Sequence, residues 1–332
     1  MTEHTSRAVW FTGPREIELR EAPVRSPRAG EITVRATRSL ISAGTEMLVY
    51  RGGTTPGDRM PPNSEGTFPF PTKYGYQTVG EVIETGPDTG YSIGDHVFTR
   101  HPHQDFFTIE ARPEYVTRVP GGVDDSAATF LNLTRVALTG VLDVPVKVGE
   151  VAVVFGQGIV GMMCARIAGL NAGKTIVVDR FENRRELALR YGADAAVEPQ
   201  DVASVVAELS HGRGADVVYE ASGAPPALQS AIEIAADHGE IVAISLYGIQ
   251  DVPLRLAPEF HFRRLRITSS QAGDQARWDW VRRTEASFEL LERFGVDGMI
   301  GRTVPFAGAA EAYDLVDRDP ANVLGVVLDY DA

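Results

Sequence analysis

FGQGIVGMMCARIAGL, residues 155–170, decides the fold. Gly156, Gly158 and Gly161 stand there in G-x-G-x-x-G spacing. Glycine-rich turns are common, so the bare pattern is weak and its surroundings carry the information. The apolar run VAVVF precedes it as a buried strand, an apolar helix follows through MMCARIAGL, and the next strand, TIVVD, ends in Asp179. In that context the first glycine permits a tight turn, the second lets the backbone approach a pyrophosphate, and the third lets helix and strand pack closely. The helix start, with Ile159 and Val160, offers free N–H groups and the positive end of a dipole to phosphates. Asp179 is placed to accept hydrogen bonds from the adenosine ribose hydroxyls, which favours NAD over NADP. Arg180, with Arg184 and Arg185 beyond it, could meet a 2′-phosphate, but the carboxylate at that corner would repel one. Cys164 and its neighbouring methionines read as core packing.

Outward from this unit, strands and helices alternate. After TIVVD come the helix ENRRELALRYG, AAVEP, the helix VASVVAELS, DVVYEAS, the helix PALQSAIEIAA and EIVAISLYG. That rhythm implies βαβ units, a parallel sheet and an α/β, doubly wound (Rossmann) domain. Before about residue 125 the pattern is different: AVWF, IELR, EITVRATR, TVGEVIET and DHVF are short alternating or β-branched segments between Gly/Pro clusters. RGGTTPGDRMPPNSEGTFPFPT (51–72) reads as one long loop, a length that usually goes with function. The division expected is 1–127 with 271–332 for a β-rich domain, and 128–270 for the nucleotide domain.

Composition sets outer limits. The 332 residues carry a formal charge of −13, which tells against nucleic acid or an anionic membrane as partner. No apolar run reaches the roughly 18 residues of a membrane span, and MTEHTSRAVW lacks a signal pattern. A cytoplasmic protein is expected. One cysteine excludes an intramolecular disulfide and a multi-cysteine zinc site.

The β-rich first part, the later nucleotide fold and ISAGTEM (41–47) together resemble the medium-chain dehydrogenase/reductase superfamily over essentially the whole chain. TVGEVIETGPDTGYSIGDHVF, PEYVTRVP and ASGAPPALQSAIEIAADHGEIVAIS carry the same likeness. The resemblance implies a GroES-like catalytic domain beside the Rossmann domain. Zinc-dependent members read Cys-Gly-(Ser/Thr)-Asp at the first loop and Gly-His-Glu further on. Here Ala43 takes the cysteine position, and Gly75-Tyr76-Gln77 replaces the triplet. Alanine, tyrosine and glutamine cannot substitute for thiolate and imidazole ligands, so no catalytic zinc is expected, and with no four-cysteine lobe after Val97 no structural zinc is expected either. SLYGIQDVPLRLAPEFHFRRLRITSSQAG, ARWDW and HPHQ (101–104) are most similar to a zinc-lacking group typified by bacteriochlorophyllide dehydrogenase.

A hydride then moves to or from a nicotinamide, and the protein manages one proton. Thr45 occupies the position of the family's proton-passing Ser/Thr. Tyr76 and Gln77 sit where ligands would enter the site. His101 and His103 are candidates as acid/base, and with Asp105 they share one face of an extended chain. Glu46 reads as structural, anchoring its loop by a salt bridge. Ser222 and Gly223 follow DVVYEA and fall near the nicotinamide ribose by position in the fold. The expected activity is a zinc-independent, NAD(H)-dependent interconversion of a secondary alcohol and a ketone on a small-molecule substrate, by a homodimer, with loop 51–72 covering the substrate. An NADPH-dependent enone reductase is the alternative enzyme, and a non-catalytic nucleotide-binding sensor the alternative outside enzymes.

Overall fold

The strand Val151–Phe155 is buried at all five positions, as a strand covered on both faces must be. The computed structural model, which describes residues 4–54 and 63–332, puts it third in a six-stranded, all-parallel sheet. The order is Ala195–Val197, Lys174–Val178, Val151–Phe155, Ala215–Glu220, Ala235–Ala243 and Arg266–Ser269. In chain order that is 3-2-1-4-5-6, the doubly wound arrangement, with its switch point between Val151–Phe155 and Ala215–Glu220. Helices Ile159–Ala168, Glu182–Arg190, Val202–Leu209 and Pro225–Ile234 make the crossovers. Val153, Ile176, Val218, Ile232 and Ile241 form the centre of this core.

Two compact units result: Leu133–Asp279, which holds this sheet, and Met1–Asn132 with Trp280–Ala332. The boundaries read from the sequence lie a few residues N-terminal of these.

The second unit is built on strands whose alternation was visible in the sequence. A seven-stranded sheet runs Ile300–Pro305, Gly325–Asp329, Glu31–Ile41, Thr78–Thr85, His96–Thr99 and Val116–Arg118, with Phe106–Glu110 also paired to Glu31–Ile41. A four-stranded sheet orders Glu16–Val24, His4–Gly13, Thr72–Lys73 and Glu65–Gly66. The C-terminal segment returns to this unit: Gly325–Asp329 pairs antiparallel with Glu31–Ile41. The helix Ala309–Arg318 lays Ala309, Ala312, Tyr313 and Val316 into the core, the three-to-four spacing of one helix face. No helix among the described residues is long and apolar enough to cross a membrane.

Candidate active site

In the nucleotide unit the strand Val151–Phe155 turns straight into the helix Ile159–Ala168. Gly156 has φ +83°, and a Cβ there would stand 2.7 Å from the Ser222 Cα. Glycine is therefore required twice over, for the left-handed turn and for the approach of the neighbouring strand's exit. A Cβ on Gly161 would fall 1.7 Å from the Gly156 carbonyl oxygen, so the helix rests directly on the turn. Gly158 caps the helix without a side-chain hydrogen bond, and a Cβ on it would meet nothing within 4 Å. Open space beside uncapped first-turn N–H groups, Ile159 and Val160 among them, fits a pyrophosphate.

Asp179, almost fully buried, ends the next strand. Its Oδ2 accepts from the Gln157 N–H at 2.6 Å and its Oδ1 from the Phe181 N–H at 2.9 Å. Two backbone donors fix the carboxylate and leave lone pairs for further donors. Arg184 lies 3.9 Å from Oδ2, and the Arg180 and Arg184 guanidinium groups both stand over the Phe181 ring, at 4.5 and 4.9 Å. These residues fit a dinucleotide.

Glu220 is a residue the sequence reading missed. Fully buried, it accepts from the Ser222 N–H at 2.7 Å, from the Ser222 hydroxyl and from the Gly223 N–H at 3.1 Å on Oε1, and from the Tyr247 hydroxyl at 2.6 Å on Oε2. It thereby ties the exits of two neighbouring strands together. The signal was present, since an acid at the end of an apolar strand has no reason to be there unless its oxygens are used.

In the other unit, ISAGTEM is a turn only through residues 42–44. Helix Thr45–Tyr50 starts inside it, because Met47, Val49 and Tyr50 all enter the core. Ala43 and Gly44 are exposed and Thr45 is half-buried. The buried Tyr76 hydroxyl donates to the Ser42 Oγ at 2.7 Å and has the Thr45 side chain as a second hydrogen-bonding neighbour. Burial, with the Glu46 charge, pushes its pKa up to about 12, so the phenol keeps its proton. The Gln77 amide donates to the Leu40 carbonyl at 3.2 Å, and its Oε1 has no partner among the described residues.

His103 is fully buried, with Nδ1 2.7 Å from the Ser39 Oγ and Nε2 2.9 Å from the Glu46 Oε2. Gly75, at φ +127°, makes room for it: a Cβ there would press to 2.8 Å on the ring. The same Glu46 oxygen accepts from the Tyr313 hydroxyl at 2.5 Å. The anchor of Glu46 is thus an imidazole and a phenol rather than a lysine or arginine. His101 lies elsewhere, stacked on Phe107 at 3.8 Å, with its Nδ1 2.9 Å from the Pro102 carbonyl. Burial and the nearby Lys73 hold its pKa well below the ordinary value, so it is neutral. Asp105 turns to Ser6 and Arg7. The three residues therefore do not converge, and no group of three His, Cys, Asp or Glu among the described residues is arranged to hold a metal. The donor set at Ala43, Tyr76 and Gln77 does not fit zinc: one residue offers no ligand atom, one a protonated phenol and one an amide.

A doubly wound unit with a phosphate-binding turn, joined in sequence to a β-rich unit bearing a hydroxyl-lined turn, defines a nucleotide-dependent oxidoreductase. Residues 156–300 match the family described as "Zinc-binding dehydrogenase", a span that excludes Ala43, Tyr76 and Gln77. The chain is 31% identical to D-guloside 3-dehydrogenase of Shigella flexneri, over 93% of this chain and 95% of that one. It is 29% identical to 2-desacetyl-2-hydroxyethyl bacteriochlorophyllide A dehydrogenase of Cereibacter sphaeroides, over 98% of both. A solved structure of a putative zinc-binding dehydrogenase from Sinorhizobium meliloti 1021, bound to NADP, superposes with a TM-score of 0.79 at 19% identity, covering 98% of this chain and 99% of that one. The chain belongs to the medium-chain dehydrogenase/reductase superfamily, with its Rossmann and GroES-like units.

Proposed function

We propose that this protein interconverts a secondary alcohol and a ketone with NAD(H), and that it does so without zinc. The observation that carries the reading is Tyr76. Where zinc-dependent relatives place a ligand, this chain has a buried, proton-bearing hydroxyl joined to Ser42 and Thr45. Such a donor can polarise a carbonyl or accept the alcohol proton into a short hydrogen-bonded chain, which is what a metal-free site must supply. The nicotinamide, when bound, exchanges the hydride; the chain orients the reactants and handles the proton.

In this reading Thr45 and Tyr76 meet the substrate oxygen. His103 holds Glu46 and with it the helix that begins at Thr45, and Gln77 braces the strand at Leu40. His101 is kept as a neutral base of lesser rank, since its ring is engaged by Phe107 and the Pro102 carbonyl rather than by Thr45 or Tyr76. Ser222 and Gly223, fixed by Glu220, border the nicotinamide ribose. The cover assigned to loop 51–72 includes residues 55–62, which lie outside the described residues. Asp179 supports NAD over NADP. A homodimer in the cytoplasm completes the proposal, and the edge position of Arg266–Ser269 supports it.

A second reading, NADPH-dependent enone reduction, is favoured only by Arg180 and Arg184 beside Asp179. Fluorescence titration with NADH and NADPH separates the two. The expected outcome is NADH binding on the order of tenfold tighter, about 1.4 kcal/mol, with turnover of secondary alcohols that survives chelation. A preference for NADPH, or zinc bound one to one, would overturn the proposal.

A further inference from the structure

Arg100 follows the strand His96–Thr99 and is only partly exposed. Among the described residues its Nε is buried without a hydrogen-bond partner, and no carboxylate forms an ion pair with it. Three more exposed arginines behave differently. Arg15, Arg25 and Arg51 each grip a carboxylate at 2.7 Å or less. Among the described residues, one sheltered guanidinium group of an acidic chain is thus left without an acid.

Removing a charge from water is costly unless partners replace the lost hydration. Trp280 supplies part of this, its ring 4.9 Å from the guanidinium carbon. A cation–π contact satisfies the face of the group but not the in-plane N–H fork, which matches a carboxylate or phosphate. The main chain of Arg100 is fixed as well, since its carbonyl accepts from the Asn63 amide at 2.9 Å. Burial holds the guanidinium below its ordinary pKa, and the fields of Tyr115, Tyr76 and Glu114 only partly oppose it. Arg100 in turn acts on the Tyr76 phenol, so the two groups lie within electrostatic reach.

We infer that Arg100 binds an anionic group of the substrate, a carboxylate or phosphate, while Tyr76 meets its alcohol or ketone. The substrate class is then a secondary alcohol that also carries an acid group. The anion site stands on the Arg100 geometry; its place on the substrate rests on the function proposed above.

The test uses the full-length protein in two arms. In the first, inorganic phosphate and acetate are titrated against chloride at constant ionic strength, with binding followed by calorimetry. Saturable binding of at least one anion is expected, weakened on the order of 30-fold in Arg100→Gln, as removal of one member of a sheltered charge pair does. Arg100→Lys should recover only part, because an ammonium cannot form the bidentate pair. Equal anion binding by wild type and both variants would overturn the site, whatever the enzyme turns over. Should Arg100→Gln fail to fold, the Lys variant decides: unchanged phosphate affinity overturns the proposal, and a severalfold loss supports it.

In the second arm, NAD reduction is compared for an aldonate and the alditol of the same configuration. The ratio of their kcat/KM values should favour the acid in the wild type and fall toward unity in Arg100→Gln. A ratio that persists in the variant, or favours the alditol at the outset, would overturn the substrate assignment. Loss of anion binding in Arg100→Gln without turnover of any compound would support the anion site and sink the alcohol dehydrogenase reading instead.

Discussion

Tyr76 illustrates how burial fixes the chemistry of one hydroxyl. With its pKa raised to about 12, it keeps its proton through the neutral range, and no activity limb below about pH 10 should belong to it. Tyr76→Phe keeps the ring and removes the hydrogen bond to Ser42. The expected loss in kcat is on the order of a hundredfold, against a stability loss of about 1 kcal/mol. Steady-state kinetics beside denaturant unfolding reads both, and a kcat within threefold of wild type would remove Tyr76 from the proton path. Residue types were legible here, and their partners were not. Ala43, Tyr76 and Gln77 could be singled out because a ligand-binding pattern had been replaced, and Thr45 because it keeps the hydroxyl position of the resembling family. The triad of Glu46, His103 and Tyr313 spans 267 positions, and nothing local in any of the three segments announces it. Arg100 and Glu220 were passed over for the same reason: a charge next to a strand end looks solvated until burial and partners are known.

At the scale of elements, the strand–turn–helix unit 151–168 is tightly constrained. Gly161→Ala would drive a Cβ against the Gly156 carbonyl, a backbone atom that cannot rotate away. The helix must lift from the turn, at about 1–3 kcal/mol for overpacking, and its first-turn N–H groups move off the phosphate position. Cofactor affinity should therefore fall more than the stability loss alone explains, by roughly tenfold or more. Calorimetric NADH binding at a temperature where the variant remains folded checks this; unchanged affinity would show that the turn does not bear on the phosphates. These elements were readable in advance because a buried parallel strand is a continuous apolar run and its helix has a clear period. ISAGTEM was harder. Its glycine and small residues announce a turn, whereas the short helix that starts within it owes its existence to Met47, Val49 and Tyr50 packing into a core assembled from distant segments.

The whole chain closes on itself within one unit. Strand Gly325–Asp329 pairs with Glu31–Ile41, and Asp317, from the helix before it, receives Arg15 at 2.7 Å and Arg51 at 2.5 Å. Sequence pattern pointed to a returning C-terminal segment, but register and side-chain clasp depend on contacts some 300 positions apart, which no window of sequence displays. The clasp is testable through pH. Burial alone would raise the Asp317 pKa; hydrogen bonds from Arg51 and Arg15 and their charges outweigh it and hold the carboxyl below its ordinary value. A group whose pKa is lower folded than unfolded stabilises above its unfolded value, near 3.9 for aspartate, and loses that contribution as pH falls through the folded value. Asp317→Asn should thus destabilise the protein at pH 7, by about 0.5–1 kcal/mol because both arginines are partly exposed. The gap should narrow as pH falls below about 4, as the wild-type carboxyl becomes protonated. Urea unfolding followed by tryptophan fluorescence in a Trp278→Phe background reports on this unit through Trp10 and Trp280. A gap of the same size at pH 7 and pH 3 would mean that Asp317 acts through shape rather than charge, and that the C-terminal segment is held by strand pairing and the Tyr313 face alone.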